Sequence, residues 1–229
     1  MHFALRQHPK VRMSRPKEMH YFDRGRHPKS EVDHRSYHAR GWGDAGFSED
    51  LLYGESTPKY ALALPKGRVP FLPQIRAYNP KIKLIFIFRN PVDRLHSHWW
   101  MLRRGGQLEQ SFDEFVAERL NAGGKISFER HALSRGFYGR IAEKAYELFP
   151  KEQLLFLRFE DFEKNFDLVS EFLGLPPGFP FTLEDRNKGA NKPQIEPEQA
   201  QRLRIYYANE VMKLQALTGL NVEEWLPNS

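Results

Sequence analysis

The sequence predicts an α/β fold in which helices flank both faces of a parallel β-sheet. Residues 82–88 are almost all apolar, β-branched or aromatic, which is typical of a short strand buried on both faces. A turn at residues 89–91 and a helix predicted from residue 92 to about residue 104 follow this strand. Residues 153–159 and 161–173 repeat the order of strand and helix. Because strand–turn–helix units connect parallel strands, we expect a three-layer α/β structure with a sheet of about four or five strands.

The other predicted elements follow from caps, prolines and glycines. Ser111 and Glu114 have the spacing of a capping box, which predicts a helix to about residue 120. Residues 137–149 are amphipathic, and residues 197–217 form a helix that starts on a proline and is stopped by a glycine. Residues 20–69 hold no strong periodicity, so we expect a long loop region that is either functional or poorly ordered.

The composition is that of a globular chain, with 40% hydrophobic and 28% charged residues, and we expect residues 1–229 to form a single domain. No apolar run approaches the roughly 18 residues that cross a membrane, and the first residues lack the apolar core of a signal peptide. The absence of cysteine excludes disulfides and thiolate chemistry, and it favours a cytoplasmic location. The formal charge of +6 indicates an anionic partner. Because no nucleic-acid-binding module is recognised, we expect a small anionic molecule rather than nucleic acid.

Arg89 and Ser97 form the first candidate binding site. Arg89 follows a predicted parallel strand at its carboxyl end, where open α/β sheets bind ligands. The next helix offers free N–H groups and a positive dipole end, and Ser97 lies one to two turns into it. A guanidinium and a hydroxyl together suit a phosphate monoester. Alternatively, Arg89 and Arg94 are surface arginines that pair with Asp93, and the spacing alone does not separate these two interpretations.

The stretch Leu-Ile-Phe-Ile-Phe-Arg-Asn-Pro-Val-Asp-Arg-Leu-His-Ser at residues 84–97 resembles the 3′-phosphate-binding segment of sulfotransferases that use 3′-phosphoadenosine 5′-phosphosulfate (PAPS). Within that family it is most similar to the heparan sulfate and bacterial Golgi-type branch. The resemblance implies a nucleotide kinase-like (P-loop-like) core, PAPS as the cofactor, and Arg89 and Ser97 as the holders of the 3′-phosphate. It also implies transfer of a sulfuryl group to a hydroxyl or amine of a small-molecule or carbohydrate acceptor.

Residues 17–23 (Lys-Glu-Met-His-Tyr-Phe-Asp) resemble the family segment whose glutamate is the general base, which assigns that role to Glu18. From the residues alone, Glu18 is either a base or half of a surface pair with Lys17. His20 either assists Glu18 or lines the pocket wall. The histidines at positions 27, 34 and 38 lack the spacing of paired metal ligands, so we expect no catalytic metal.

Two further segments resemble parts of the family's cofactor site. Gly-Phe-Tyr at residues 136–138 implies that Tyr138 lies near the cofactor. Asn-Lys-Gly at residues 187–189 resembles a loop that covers the cofactor, which implies cofactor contacts for Lys188 and Gly189.

The sequence also departs from the family pattern. The resemblance implies an earlier central strand and a Lys-x-Gly-Thr-Thr loop that binds the 5′-phosphosulfate, and no such loop occurs in the 229 residues. We therefore expect an N-terminally truncated core, because of either a misplaced start or a true truncation. The second case predicts a non-catalytic protein that binds adenosine 3′,5′-bisphosphate or polyanions. Ser56 and Ala190 replace a lysine and an arginine of the family pattern. The oligomeric state is not predicted.

Overall fold

The computed structural model describes residues 1–24, 29–43, 46–64, 68–121, 132–182 and 192–227. Each parallel strand in these ranges is followed by a helix, as the sequence predicts for an α/β fold. None of the helices in these ranges combines the length and hydropathy needed to cross a bilayer. In chain order the elements are α1 (His2–Leu5), β1 (Val11–Met13), α2 (Glu31–Trp42), β2 (Leu52–Gly54), α3 (Leu72–Tyr78), β3 (Leu84–Phe88), α4 (Pro91–Arg104), α5 (Phe112–Asn121), α6 (Tyr138–Leu148), β4 (Leu154–Arg158), α7 (Phe166–Leu173) and α8 (Pro197–Thr218).

The strands form two parallel pairs. β1 pairs with β2, and β3 pairs with β4 in a register that sets Leu84 opposite Leu154 and Phe88 opposite Arg158. Within the described ranges, no backbone pairing joins β2 to β3. A cleft of about 1050 Å³, which we call the inter-strand cleft, lies between these two strands and is lined by both. The prediction of parallel strands is confirmed, and the described ranges contain four of them.

Hydrophobic cores cover both faces of the strands. Phe86 and Phe88 are buried in the larger core, together with residues of α3, α4, α6 and α8. Ile85 and Ile87 pack against the smaller core, which includes Phe166 of α7 and residues of α1 and β1. Since alternate residues of a strand point to opposite faces, β3 lies between the two cores as the middle layer of three.

The second strand–helix unit differs in its boundaries from the sequence prediction. The helix after β4 was expected from residue 161, whereas α7 begins at Phe166 and residues 159–165 form turns. Asp161 is held by an ion pair of 3.2 Å to Arg158 Nε at the end of β4. This contact keeps the chain in a turn close to the strand, so the helix starts about one turn later.

Residues 20–69, predicted to be rich in loops, contain two regular elements that the sequence did not indicate. They include α2 of 12 residues and the strand β2. The start of α2 is fixed by a capping box, in which Ser30 Oγ accepts from the N–H of Asp33 and the Asp33 carboxylate accepts from the N–H of Ser30. Only Tyr37 and Gly41 of α2 are buried, so the helix carries no apolar stripe for a periodicity search to find.

The other helices form close to where caps and turn residues predict them. Ser111 and Glu114 make the expected capping box before α5. α8 begins at Pro197 and ends before Gly219, whose φ of 72° is the left-handed conformation that glycine adopts without strain. α8 packs closely on α6, where a Cβ added to Gly139 would lie 2.8 Å from the Glu210 carbonyl oxygen.

Candidate functional site

The first half of the candidate site lies where β3 ends and α4 begins. Asn90 caps α4 by accepting from the N–H of Val92 at 3.0 Å, and Pro91 takes the first helical position, where no N–H is needed. The N–H of Asn90 donates to Glu160 Oε1 at 3.3 Å, which ties the turn to the segment after β4. Arg89, the residue between strand and cap, is therefore held at the carboxyl edge of the β3–β4 pair.

Two cationic side chains meet at the hydroxyl of Ser97. Arg89 donates from Nη1 to Ser97 Oγ at 3.0 Å, and Lys192 Nζ lies 3.4 Å from the same oxygen. Burial and the charge of Arg89 lower the pKa of Lys192, against the opposing charge of Asp93. Two cations that repel each other beside a hydroxyl donor form a geometry that an anion would stabilise.

His96 lies beside this pair of cations. Burial, Lys192 and Arg89 lower its pKa to about 4, so the imidazole is neutral at pH 7. The ring stacks on Trp99 with centroids 5.3 Å apart, and only 2% of the residue is exposed. His96 is thus a buried, uncharged residue that lines the site, and its pKa depends on the charges of its two cationic neighbours.

Tyr138 and Arg94 stabilise the candidate site through contacts with buried residues. The Tyr138 ring stacks on Phe88 at 4.4 Å, and burial raises its pKa to about 12, partly offset by the charge and hydrogen bond of Arg94. Arg94 also donates to the Ala132 carbonyl at 2.6 Å and bonds to the hydroxyl of Tyr207. The alternative of a surface Arg94 paired with Asp93 is therefore wrong, because Arg94 holds buried tyrosines and a carbonyl in place.

The second half of the site consists of three side chains in a row, with the His20 imidazole between the carboxylates of Glu18 and Asp23. Glu18 Oε2 lies 3.5 Å from His20 Nε2, and His20 Nδ1 lies 3.0 Å from Asp23 Oδ2. The Asp23 side chain is inaccessible to solvent, and it also pairs with Lys59 at 2.8 Å. Burial alone would raise the pKa of Asp23, but the hydrogen bonds and charges of Lys59 and His20 hold it below its ordinary value. An ionised Asp23 fixes the proton on His20 Nδ1 and leaves Nε2 facing Glu18.

The backbone of His20 is held in an uncommon conformation. Its φ is 53°, in the left-handed region that non-glycine residues seldom adopt. The N–H of His20 donates to Thr57 Oγ1 at 3.3 Å, and Thr57 in turn donates to Glu55 at 2.8 Å. The segment after β2 therefore positions His20, and strained backbone of this kind is concentrated at functional sites.

Arg135 connects the two halves of the site. Burial lowers its pKa, the charge of Arg94 adds to this effect, and the charge of Glu18 opposes it. Arg89, Arg94 and Arg135 all line the inter-strand cleft at its carboxyl end. Glu18 also forms an ion pair of 3.8 Å with its neighbour Lys17, and 40% of the Glu18 side chain is exposed.

The structure brings Arg89 into contact with Ser97 and packs Tyr138 on Phe88, the residue before Arg89, while Glu18 and His20 form a second group. Lys188 and Gly189 lie outside the described residues, so their cofactor contacts stay a prediction. Sequence reasoning missed Lys192, although it lies in an Asn-Lys-Pro stretch shortly before α8, next to the loop already assigned to the cofactor.

Two histidines considered as metal ligands are engaged elsewhere. His34 Nδ1 bonds to the hydroxyl of Tyr21 at 2.7 Å, and His38 Nε2 bonds to that of Tyr78 at 2.6 Å. In the ranges that the structure covers, no group of three or more His, Asp or Glu side chains is arranged to hold a metal ion. Ser56, which replaces the family lysine, lies 3.1 Å from His2 Nδ1.

The chain is similar to several proteins of known family. Carbohydrate sulfotransferase 15 of Mus musculus is 31% identical over 48% of this chain and 24% of its own length. Heparan sulfate glucosamine 3-O-sulfotransferase 3B1 of Homo sapiens is 26% identical over 94% of this chain and 58% of its own length. This chain therefore spans between about a quarter and three fifths of the length of these two relatives.

A solved sulfotransferase from Alicyclobacillus acidocaldarius superimposes with a TM-score of 0.76 at 21% identity, covering 97% of this chain and 91% of that one. The structural likeness supports the P-loop-like sulfotransferase fold expected from the sequence. Residues 70–187, which include β3, α4, α6 and β4, match the family described as sulfotransferase domain. This chain belongs to that family of sulfotransferases.

Proposed function

We propose that this protein transfers a sulfuryl group from PAPS to a hydroxyl or amine of its acceptor, with Glu18 as the general base. The convergence of Arg89 and Lys192 on the hydroxyl of Ser97 carries the proposal. A monoester phosphate needs both charge and directed donors, and these three side chains offer both. The 3′-phosphate is what distinguishes PAPS from common adenine nucleotides, so this half of the site selects the donor.

PAPS supplies an activated sulfuryl group whose leaving group is adenosine 3′,5′-bisphosphate. The acceptor oxygen or nitrogen forms the new bond to sulfur while the bond from sulfur to the 5′-phosphate oxygen breaks. The leaving phosphate keeps the electron pair, and Glu18 takes the acceptor proton. Arg89, Lys192 and Ser97 hold the 3′-phosphate away from the reacting atoms.

His20 and Asp23 position the base. Asp23 accepts from His20 Nδ1, so His20 Nε2 is directed at the Glu18 carboxylate 3.5 Å away. This contact restrains the Glu18 rotamer and gives the proton a second acceptor. Tyr138 supports the donor site indirectly, because its ring stacks on Phe88 and its hydroxyl bonds to the guanidinium of Arg94.

The acceptor is a small molecule or a carbohydrate. Two of the relatives carry a carbohydrate or heparan sulfate in their names, which supports a sugar hydroxyl. Aromatic side chains of Trp42, Phe47 and Tyr53 line the inter-strand cleft on the side of β2. Such rings offer a stacking surface for the apolar face of a sugar.

Calorimetry tests the donor site. We expect adenosine 3′,5′-bisphosphate to bind and adenosine 5′-monophosphate, which lacks the 3′-phosphate, to bind at least tenfold more weakly. Arg89→Ala removes a charge-assisted contact of about 1.5–3 kcal/mol and should weaken bisphosphate binding at least tenfold. Arg104→Ala, at the exposed end of the helix α4 that follows Arg89, is the matched control. Equal binding by Arg89→Ala and Arg104→Ala contradicts the site.

Radiolabelled sulfuryl transfer from PAPS to a panel of sugar and phenol acceptors tests the reaction. Glu18→Gln should lower kcat at least 100-fold while bisphosphate affinity stays within about twofold, because the base does not contact the 3′-phosphate. Bisphosphate binding with no transfer to any acceptor would instead support the non-catalytic alternative. Unchanged kcat in Glu18→Gln would remove Glu18 from the base role.

A further inference from the structure

A second pocket lies between α5 and α8, and we call it the α5–α8 pocket. Its volume is about 560 Å³, which is within the range of sites that bind small molecules. It is lined by Asp113, Val116, Ala117, Leu120, Glu196, Pro197, Glu198, Gln199 and Arg202. None of these nine residues lines the inter-strand cleft. The residues proposed above for the donor and the acceptor thus have no part in its walls.

Helical spacing sets both walls of the pocket. On α5 the lining residues fall at i, i+3, i+4 and i+7 counted from Asp113, which places them on one face of the helix. On α8 they come from the first two turns, between Pro197 and Arg202. The pocket therefore lies where the beginning of α8 meets one face of α5.

The base of the pocket holds a buried amide. Gln199 is 8% exposed and Val116 is 1% exposed, whereas the other seven lining residues are exposed. Within the described ranges, the side-chain amide of Gln199 has no hydrogen-bond partner. Because a buried polar group without a partner is costly, such groups nearly always have one. A ligand in the pocket would supply the hydrogen bond that the chain does not.

Three carboxylates line the pocket beside this amide. Asp113, Glu196 and Glu198 make no ion pair in the part of the chain that the structure describes. The neighbouring acids that do not line the pocket are engaged, since Glu114 accepts from Ser111 and Glu118 lies 3.4 Å from Arg119. The acids outside the pocket are thus paired within the protein, and those inside it are available to a ligand.

The charge of the pocket favours a cation. The start of a long helix by itself attracts anions. Here, however, three carboxylates and one guanidinium give the described lining a net charge of −2, opposite in sign to the +6 of the whole chain. An anion would be repelled by this lining, and a cation would be attracted.

The separation of the carboxylates argues against a metal ion. Among the residues that the structure covers, no group of three or more His, Asp or Glu side chains is arranged to hold one. Val116, Ala117, Leu120 and Pro197 also give the pocket an apolar surface. An occupant with several positive groups spaced along a methylene chain matches both features. Ammonium groups are donors only, and the carboxylates and the Gln199 oxygen are acceptors.

We propose that the α5–α8 pocket is a binding site for a linear alkyl polyamine. Its ammonium groups donate to the three carboxylates and to the side-chain oxygen of Gln199, and its methylene chain packs on Val116. Arg202, the one guanidinium in the described lining, opposes binding through its like charge. The proposal involves no covalent step and does not depend on sulfuryl transfer.

Calorimetry with the whole chain and spermidine tests the affinity. We expect a Kd below about 1 mM at low salt. Binding should weaken at least threefold between about 50 and about 300 mM sodium chloride, because salt screens exposed charges. The uncharged 1,4-butanediol, which keeps a four-carbon methylene chain, should not bind.

Variants at the base and rim of the pocket test the contacts. Gln199→Leu keeps an apolar side chain over Val116 and removes the acceptor, so it should weaken spermidine at least fivefold. Gln199→Glu keeps an acceptor oxygen and adds a charge, so it should bind at least as tightly as the parent. Arg202→Gln should tighten binding at least twofold. The control is Glu171→Gln on α7, which removes an exposed carboxylate outside the pocket and should change the Kd by less than twofold.

NMR with the parent chain tests the location. Spermidine should shift the methyl signals of Val116, Ala117 and Leu120 and the side-chain amide signal of Gln199. The methyl signal of Ala142, which is buried in α6, should not move. If circular dichroism shows that Gln199→Leu is unfolded, the exposed variant Glu196→Gln replaces it, with a loss of at least threefold expected.

Four results would overturn the proposal. The first is no binding of spermidine, or equal binding by the parent and by Gln199→Leu or Glu196→Gln. The second is weaker binding by Gln199→Glu, which would mean that the ligand accepts from the amide. The third is tighter binding of 6-aminohexanoate than of 1,6-diaminohexane, which would pair Arg202 with a carboxylate and mark a site for an amino acid. The fourth is the same NMR shifts from Ca²⁺ alone, which would mark a metal site.

Discussion

Replacing Lys192 by glutamine tests the donor site at the residue that only the structure places there. Lys192 Nζ lies 3.4 Å from Ser97 Oγ, so an anion oxygen held by Ser97 and Arg89 falls within reach of the ammonium group. Lys192→Gln keeps a polar side chain of similar reach and removes the charge. The variant should therefore weaken binding of adenosine 3′,5′-bisphosphate without changing the fold.

The magnitude follows from the contact that is lost. A hydrogen bond to a charged group contributes about 1.5–3 kcal/mol, and each 1.4 kcal/mol is about a factor of ten in Kd. Burial is the larger cause of the lowered pKa of Lys192, and the repulsion from Arg89, which adds to it, is relieved when an anion binds. We therefore expect a loss of about 10- to 100-fold, larger at low salt than at high salt.

His96 gives an independent readout in the same variant. Its pKa is lowered to about 4 by burial, Lys192 and Arg89, so removing the Lys192 charge should raise it towards its ordinary value. Proton titration of the His96 ring by NMR measures this shift, and calorimetry measures the affinity.

The control is Lys151→Gln, which removes an exposed lysine in the turn before β4 and should leave both quantities unchanged. An unchanged affinity together with a raised pKa of His96 would mean that Lys192 lies beside the site but does not bind the anion. Unchanged values of both would refute the placement of Lys192.

Three further predictions address stability and catalysis. The folded pKa of His96, about 4, lies below an unfolded value of about 6.5. The unfolded chain therefore binds more protons between these values, and urea denaturation should show stability that is complete above about pH 6.5 and reduced by about 2 kcal/mol at pH 5. His98, also lowered to about 4, adds to this loss, and His96→Phe should diminish the pH dependence. Asp23→Asn should lower kcat by about 10- to 100-fold with bisphosphate binding within about twofold, because it frees the His20 ring; a loss of binding instead would indicate a structural role. Gly139→Ala should lower the free energy of unfolding by about 1–3 kcal/mol, because its Cβ would lie 2.8 Å from a carbonyl of α8, and an unchanged melting temperature would contradict that packing.

The elements that the sequence predicted well are those with local signals. The parallel arrangement of β3 and β4 follows from two strand–turn–helix units, and α5 and α8 follow from a capping box and from Pro197 and Gly219. α2 also begins with a capping box, at Ser30 and Asp33, but only Tyr37 and Gly41 are buried, so no apolar stripe follows the cap to indicate a helix. Its stability comes from the Ser30 cap and from contacts with distant residues, and those contacts are visible only in the folded chain.

The site residues divide in the same way. Arg89 and Ser97 are eight positions apart on one strand–helix unit, so their contact could be predicted from the spacing and the resemblance. Lys192 is 95 residues from Ser97, and nothing local to either residue indicates that they meet. Asp23 likewise lacked a signal, since its role depends on Lys59 and on a φ of 53° at His20.

The burial of β3 in the structure matches the sequence prediction on one face of the strand more closely than on the other. Its composition predicts a strand buried on both faces, and Phe86 and Phe88 are buried in the larger core as expected. Ile85 and Ile87 are only half-buried, although they are as apolar as their neighbours. Isoleucine at both of these positions suits a strand covered on both faces, whereas an exposed edge strand would carry charged residues or proline there. The side chains of β3 are thus those of a central strand in a parallel sheet, as its composition predicts.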